Sequence, residues 1–309
     1  MGVSDIAEFA SAIGATGPVW IRGAGTRVVG PANVRAVESP RGIRFFEPEE
    51  MTVTCGAGTY LSDLDEILDD RGQYANLGQL RHPHGTVGGA LASGWNDQLR
   101  LGRGPVRDSL LEVHVVTGRG DVVKGGGPTV KNVSGFDLCR LMVGSHGRLG
   151  AIAEVTLRTR PKPRASAWLV VDSVDGSRVE ELVGHLYRPS AILWNGLVCW
   201  ICVEGHPSDI EVTRTELRRR GFASQESASG PDLGALPHRW SVSPRTVFEH
   251  VRERVGQVIA EVGVGVLHGD QPPPTPNIDS AVENIHRRLK DSFDPEHRLN
   301  PGAGDILIR

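Results

Sequence analysis

Four glycine-bearing loops hold the residues of this chain best suited to handling a ligand. Arg22-Gly23-Ala24-Gly25-Thr26 follows the apolar run Val19-Trp20-Ile21. His84-Gly85-Thr86-Val87-Gly88-Gly89 and Ala92-Ser93-Gly94 lie close together, and Gly144-Ser145-His146-Gly147-Arg148-Leu149-Gly150 comes later. Glycine lacks the Cβ that would hold a ligand away, so successive backbone N–H groups can converge on an anion. A turn accounts for any one of these loops. Together they point to one extended, phosphate-bearing cofactor.

The familiar nucleotide signatures do not fit. A dinucleotide fingerprint starting at Gly23-Ala24-Gly25 needs a third glycine where the chain has Val28, and Val29-Gly30-Pro31 replaces the helix that should open there. No G-x-x-x-x-G-K-[ST] loop occurs, so ATP or GTP hydrolysis lacks its minimal parts. Cys199-Trp200-Ile201-Cys202 matches the C-x-x-C spacing of metal and redox sites. It falls in a run over 192–203 that reads as a single buried strand, where positions three apart face opposite sides. With no second C-x-x-C, the two cysteines read as core.

The elements that must position the loops follow from periodicity. Ser4 can cap a helix carrying Ile6, Phe9, Ala10 and Ile13, with Gly14 as its stop. A strand over 51–55 precedes a helix with Leu64, Ile67 and Leu68 on one face, Ser62 and Asp65 in a capping-box pattern, and Gly72 as its end. Leu111, Val113 and Val115, the turn Gly118-Arg119-Gly120-Asp121 and Val122-Val123 predict a hairpin. A short helix with Leu138, Leu141 and Met142 and a strand with Ala151, Ala153, Val155 and Leu157 lead to Pro161-Lys162-Pro163, the expected domain boundary. Beyond it, strands over 168–171, 192–203 and 262–267 alternate with helices over 179–186, 210–220 and 248–259, before a last helix with Val282, Ile285 and Leu289. This predicts an antiparallel sheet backed by helices. The Ser-, Gly- and Ala-rich stretch 224–237 reads as a loop.

Length and composition set the frame. At 309 residues the chain exceeds what one core of roughly 250–300 residues supports, so two domains are expected. With 39% apolar and 23% charged residues it has the balance of a globular protein. A net charge of -3 gives no footprint for nucleic acid or a membrane surface. No apolar run reaches the ~18 residues of a membrane span. Met1-Gly2-Val3-Ser4-Asp5 opens without a basic segment and apolar core, so a cytoplasmic location is expected.

Residues Arg22-Gly23-Ala24-Gly25-Thr26, Gly85-Thr86-Val87-Gly88-Gly89, Gly104-Pro105-Val106-Arg107-Asp108 and Gly144-Ser145-His146-Gly147-Arg148-Leu149-Gly150-Ala151-Ile152 together resemble the FAD-binding domain of the vanillyl-alcohol oxidase and p-cresol methylhydroxylase (PCMH) superfamily. Val130-Lys131-Asn132-Val133-Ser134-Gly135-Phe136-Asp137-Leu138-Cys139-Arg140-Leu141-Met142 is similar to the signature of the FAD-binding subunit of bacterial glycolate oxidase. The resemblance covers 18–165 and returns at Phe293-Asp294-Pro295 and Asn300-Pro301-Gly302. It implies an α+β protein: a PCMH-type FAD-binding domain of two α+β subdomains over 1–163, a smaller α+β cap or substrate-side domain with an antiparallel sheet over 164–292, and a tail, 293–309, that returns to the first domain. The family usually begins with a further strand and a proline-containing segment, so the first subdomain is expected to be slightly reduced.

Carried over by position, the resemblance implies that Arg22, Gly23, Ala24, Gly25, Thr26 and Arg27 wrap the FAD pyrophosphate. It implies that His84, Gly85, Thr86, Val87, Gly88 and Gly89, with Ala92, Ser93 and Gly94, line the pyrophosphate and isoalloxazine, and that His146, Gly147, Leu149, Gly150 and Ile152 close around the nucleotide end. Covalent members carry histidine in the first loop; Thr26 and Arg27 stand here, so the flavin is expected to be noncovalent.

The same resemblance implies oxidation of a small 2-hydroxy acid such as glycolate or D-lactate. Electrons would leave to an iron-sulfur subunit, beside a second flavoprotein subunit, and any membrane association would run through a partner. His268-Gly269-Asp270 is similar to part of a metal motif of catalytic relatives, but Gln271-Pro272-Pro273-Pro274 replaces its continuation, so a strand-end turn and no metal are expected. Arg239-Trp240 reads either as an anion clamp or as surface packing. No residue is identifiable as the catalytic base. Two alternatives stay open: an FAD-binding structural or relay subunit with no substrate site of its own, and a nicotinamide-using flavin reductase of the same superfamily.

Overall fold

The computed structural model describes residues 3–26, 30–78, 84–127, 137–273 and 279–303. Phe9 and Ile13, about one helical turn apart, anchor α1 (Val3–Ile13), which begins before Ser4. β1 (Val19–Arg22) buries Val19 and Trp20 and pairs in parallel with β2 (Arg35–Glu38), Val19 lying opposite Arg35. There follow β3 (Ile43–Glu47), β4 (Thr52–Gly56), α2 (Leu61–Asp69), β5 (Gln73–Ala75), α3 (Val87–Ser93) and the short α4 (Arg100–Arg103). The predicted hairpin is β6 (Leu110–Val116) and β7 (Val122–Gly126). α5 (Leu138–Met142) is capped by the Asp137 side chain, which accepts from the Arg140 N–H, and β8 (Ala151–Pro161) closes the series.

These strands form an antiparallel sheet in the order β3-β4-β8-β6-β7, with β5 added to β8. β8 is buried along most of its length because both of its faces are covered. Ala151 and Ala153 pack with Phe9, Ile13 and Val19, while Ile152, Val155 and Leu157 enter a larger core with Leu64, Leu68 and Leu91.

The next elements are β9 (Ala165–Val171), α6 (Gly176–Val183), β10 (Ala191–Trp194), β11 (Cys199–Gly205), α7 (Pro207–Arg219), β12 (Gln225–Ser227), β13 (His238–Ser241), α8 (Val247–Glu253), β14 (Val258–Glu261) and β15 (Val266–Gly269), before α9 (Ser280–Phe293). Their sheet runs β12-β9-β11-β10-β14-β15-β13, every pair antiparallel. The protein is therefore α+β.

The chain divides into two compact units, one from the described residues of 1–97, 105–162 and 277–308, the other from those of 98–104 and 163–276. This differs from the expected boundaries in two places. Leu99 packs with Ala191 and Cys202, which takes 98–104 into the second unit. The helix α9, expected in the second domain, joins the first because its Lys290 ammonium is buried there, bonded to the Arg148 carbonyl at 2.8 Å, the Leu299 carbonyl at 3.1 Å and Asp294 Oδ2 at 2.6 Å.

Beyond α9 the tail is fixed by Arg298. Its guanidinium donates to the carbonyls of Ile13 (3.1 Å), Gly14 (3.0 Å), Thr16 (2.8 Å), Gly17 (2.8 Å) and Gly118. Leu299 then bridges to Val19, extending the β1–β2 pair.

Local expectations are corrected at several points. The run 192–203 is a hairpin, because Asn195 Oδ1 accepts from the Leu197 and Val198 N–H groups and turns the chain between β10 and β11. The helix expected over 248–259 stops at Glu253; β14 follows it, and β14 and β15 replace the strand expected over 262–267. The stretch 224–237 contributes β12 to the sheet edge. Ser62 and Asp65 form no capping box: Ser62 Oγ bonds Asp63, and the Leu61 N–H donates to the Gly85 carbonyl.

Cys199 packs into the main core of the second unit, while Cys202 packs with Leu99 and Ala191. All four cysteines are free and buried. Burial pushes the Cys55 and Cys199 thiols up to about 12 and Cys139 up to about 11. The folded protein is therefore expected to give no fast reaction with a thiol reagent at pH 8, and four equivalents after denaturation. Rapid labelling of Cys199 in the native state would contradict the core assignment.

Candidate functional site

β1 carries Gly23, Ala24, Gly25 and Thr26 to one side of a cleft whose other walls come from Thr86, Gly88, Gly89, Ala92 and Ser93, from Ser39, Ala57 and Gly58, and from His146, Gly147, Ile152, Asn300 and Ala303. Two adjoining hollows share Ile21, Gly23, Thr86, Gly89, Ala92 and Asn300 and so form one cleft.

Thr86 organises one wall. It caps α3, its Oγ1 accepting from the Gly89 N–H at 3.2 Å. A Cβ on Gly23 would lie 2.6 Å from that oxygen, so only glycine lets the first loop come this close. Gly88 is forced in the same way: a Cβ there would stand 2.8 Å from Ala57 Cβ and 2.9 Å from its carbonyl oxygen. The requirement is contact with the Ala57 backbone, not space for a ligand.

The start of α3 is not itself an anion site. The Val87 N–H donates to the Thr59 carbonyl at 2.9 Å, the Gly88 N–H to the Ala57 carbonyl at 2.7 Å, and the Gly89 N–H to Thr86. By contrast, the N–H groups of Ala24, Gly25 and Thr26 donate to no described residue, and Gly25 takes φ 71°. Such a run of unengaged amides is what a diphosphate needs. The cradle of bare backbone and small side chains fits an extended flavin dinucleotide.

The later loop is held by the far end of α3. The Gly144 N–H donates to the Leu91 carbonyl at 3.0 Å and the His146 N–H to the Ala92 carbonyl at 2.8 Å. His146 sits at φ 52°. Burial, followed by the charge of Arg148, holds its imidazole below the ordinary value of 6.5. Asn300 ties this loop to β1: its Oδ1 accepts from the Ile21 N–H and its Nδ2 donates to the His146 carbonyl, both at 2.7 Å. The exposed Arg22 pairs with Glu38, which also takes Arg41 at 3.0 Å, and the bond from Arg22 holds the Glu38 carboxyl below its usual range.

Of the residues expected from sequence, Arg22, Gly23, Ala24, Gly25, Thr26, Thr86, Gly88, Gly89, Ala92, Ser93, His146, Gly147 and Ile152 line the cleft. The others have different work. Val87 is fully buried in the core, Leu149 packs against it, and a Cβ on Gly150 would meet Met142 and Val115 at 3.3 Å. Gly85 receives the Leu61 N–H, Gly94 ends α3, and His84 is exposed away from the lining. Arg27 and the signature stretch 130–136 lie outside the described residues. Sequence reasoning missed Trp20, Ile21, Ser39, Ala57, Gly58, Asn300 and Ala303 as lining residues. The resemblance at Asn300-Pro301-Gly302 implied a tail that returns to the first domain, but did not single out Asn300 as a lining residue.

In the second unit, His268 Nε2 lies 2.6 Å from Glu261 Oε1, both residues buried. Among the described residues no group of three His, Cys, Asp or Glu side chains could hold a metal ion. Trp240 is buried, with the Arg254 guanidinium stacked over its ring at 4.2 Å.

Two outcomes are expected. Gly88→Val should destabilise the first unit by about 3 kcal/mol through overpacking against Ala57, lowering its calorimetric transition while that of the second unit stays in place. His146 binds a proton less readily in the folded than in the unfolded state, so it lowers stability as pH falls below the unfolded imidazole value and contributes nothing well above it. His146→Gln should therefore shrink the loss of stability between about pH 7 and pH 5 in urea titrations. An unchanged pH profile would remove the assignment.

Residues 3–126 match the family model of the FAD binding domain. The chain is 33% identical over 196 residues to glycolate oxidase subunit GlcE of Escherichia coli (strain K12), an alignment covering 61% of this chain and 55% of that protein. It is 34% identical over 167 residues to the D-lactate dehydrogenase of Archaeoglobus fulgidus, covering 50% and 36%, and 29% identical over 185 residues to glycolate oxidase subunit GlcD of Bacillus subtilis (strain 168), covering 57% and 39%. The matched part thus spans about half the length of these relatives or less. A solved structure of alkyldihydroxyacetonephosphate synthase aligns with a TM-score of 0.66 at 15% identity, covering 96% of this chain and 73% of that one, which shows a shared fold. Over residues 3–126 the chain is thus similar to the FAD binding domain, and over its longer alignments to glycolate oxidase subunits and D-lactate dehydrogenases.

Proposed function

We propose that the chain binds FAD noncovalently in the cleft and takes part in oxidising a small 2-hydroxy acid, glycolate or D-lactate, within an assembly containing a second flavoprotein and an iron-sulfur protein. The observation that carries this reading is the run of N–H groups at Ala24, Gly25 and Thr26 that donate to no described residue, in a cleft also lined by Gly88, Gly89, Ala92 and Gly147. It is supported by the similarity to glycolate oxidase subunits and D-lactate dehydrogenases. Bound FAD supplies two-electron acceptance from a carbon centre and release in single steps. The protein's part is position and electrostatics: loop amides for the diphosphate, and a His146 imidazole at the cleft wall that burial makes harder to protonate. The second unit, with its antiparallel sheet, is assigned the substrate side.

A second reading is an FAD-binding relay or structural subunit with no substrate site of its own. The closed pairing of His268 with Glu261 favours it, since the lead histidine of the His-Gly-Asp sequence is already engaged inside the sheet.

Acid precipitation is expected to release free FAD into the supernatant; flavin that stays with the pellet would overturn noncovalent binding. Glycolate or D-lactate should bleach the flavin absorbance if the chain carries a substrate site. Dye reduction by the FAD-loaded chain alone should be slow and should rise when a second flavoprotein and an iron-sulfur subunit are added. Fast, saturable reduction by the single chain would replace the subunit reading with an independent dehydrogenase.

A further inference from the structure

Asn300 belongs to none of the glycine loops, yet it lines both hollows of the cleft. Its side chain spans the gap between the strand that carries Gly23 to Thr26 and the loop that carries His146, partners 279 and 154 positions away in sequence. Its own N–H donates to the Val19 carbonyl at 2.9 Å, so backbone and side chain are both tied to β1. The residue is 6% exposed and sits at φ 45°, a left-handed conformation that asparagine tolerates better than most residues. Such a conformation persists only when its surroundings over-determine it. The Arg298 guanidinium and the Lys290–Asp294 pair do so from either side of Leu299.

Gly147 makes room for this arrangement, since a Cβ there would stand 2.6 Å from Asn300 Nδ2. An amide nitrogen carries two hydrogens. One goes to the His146 carbonyl, and the second meets no acceptor among the described residues. A donor left unpaired in so closed a place costs free energy, and a phosphate oxygen in the cleft removes that cost.

We infer that Asn300 is a ligand-positioning residue: it fixes the spacing of the two loops and gives its second Nδ2 hydrogen to the FAD diphosphate. This rests on the placement of FAD in the cleft. The oxygen of the same side chain serves the other end: it accepts from the Ile21 N–H and, as an acceptor, has no hydrogen to give a phosphate. Asparagine is thus required for its two unlike ends, one for the protein strand and one for the ligand.

The test is fluorescence titration of FAD, and separately of ADP, into apoprotein of the wild type, Asn300→Asp and Asn300→Ala, with melting of each apoprotein measured alongside. Aspartate keeps the acceptor for Ile21 but replaces the donor with a negative charge. Affinity for both probes is expected to fall about 10-fold in Asn300→Ala, the loss of one hydrogen bond, and further in Asn300→Asp. The excess loss in Asn300→Asp should shrink as salt is raised, because charge repulsion is screened. A purely structural role predicts a loss that follows the apoprotein melting temperature and ignores salt, and that result overturns the inference. So does FAD binding by Asn300→Asp within about twofold of wild type. Should both variants fail to fold, the Asn300 side-chain amide signal of isotope-labelled wild type decides: a shift on adding FAD supports the contact, and no shift removes it. A wild type that binds neither probe removes the placement of FAD and this inference together.

Discussion

The fold of the first unit depends on bringing a buried guanidinium to the carbonyl end of a helix. Arg298 offers five donors, and the chain meets them with carbonyls from Ile13, Gly14, Thr16, Gly17 and Gly118 rather than with a carboxylate. Removing an arginine from water is costly unless its hydrogens are satisfied, and here the partial negative charge where α1 ends does that work. The arrangement holds three otherwise separate pieces together: the exit from α1, the turn between β6 and β7, and the tail beyond α9. Leu299 can then extend β1, and Asn300 reaches the cleft. The buried Lys290 repeats the principle one step earlier, with two carbonyls and Asp294 around it.

This constraint changes how the cleft is understood. A glycine-rich segment leading into a helix invites the idea that the helix N-terminus binds the phosphates. In this protein the first amides of α3 are consumed by Thr59, Ala57 and Thr86, which fasten α3 to the turn after β4. Several glycines around it exist for close contact between protein segments. Donors for an anion are left to the loop after β1, whose position depends on Thr86 on one side and Asn300 on the other. The Arg22 charge at its base is shared with Glu38.

Much of this was legible in the sequence, for identifiable reasons. The glycine loops were visible because a missing Cβ is a residue-level signal, and most of their residues do line the cleft. The hairpin of β6 and β7 and the alternation along β8 were visible because local periodicity and turn residues agree. Failures came where two signals competed. Asn195-Gly196 was absorbed into an apolar run, although an asparagine that can bond two following amides is a turn former. β2 and β3 were overlooked because their exposed positions show little apolar alternation. Val87, Leu149 and Gly150 were credited to the ligand because core-packing and ligand-lining positions within one loop look alike until the third dimension is known. The return of the tail came only from the family resemblance, and its anchor was beyond local reasoning, since nothing near Arg298 indicates that its partners are carbonyls far earlier in the chain.

The tie between Ile21, His146 and Asn300 also has a consequence for the order of events during synthesis. The family match ends at residue 126, yet two of the walls of the cleft come from later in the chain. Domains generally fold from the N-terminus as the ribosome delivers them. This one cannot finish its cleft in that way: β1 and the glycine loop emerge early and wait, while the whole second unit is made, for a single amide translated near position 300. A nascent chain halted anywhere before that point carries the whole stretch that matches the FAD binding domain without the last wall of the cleft.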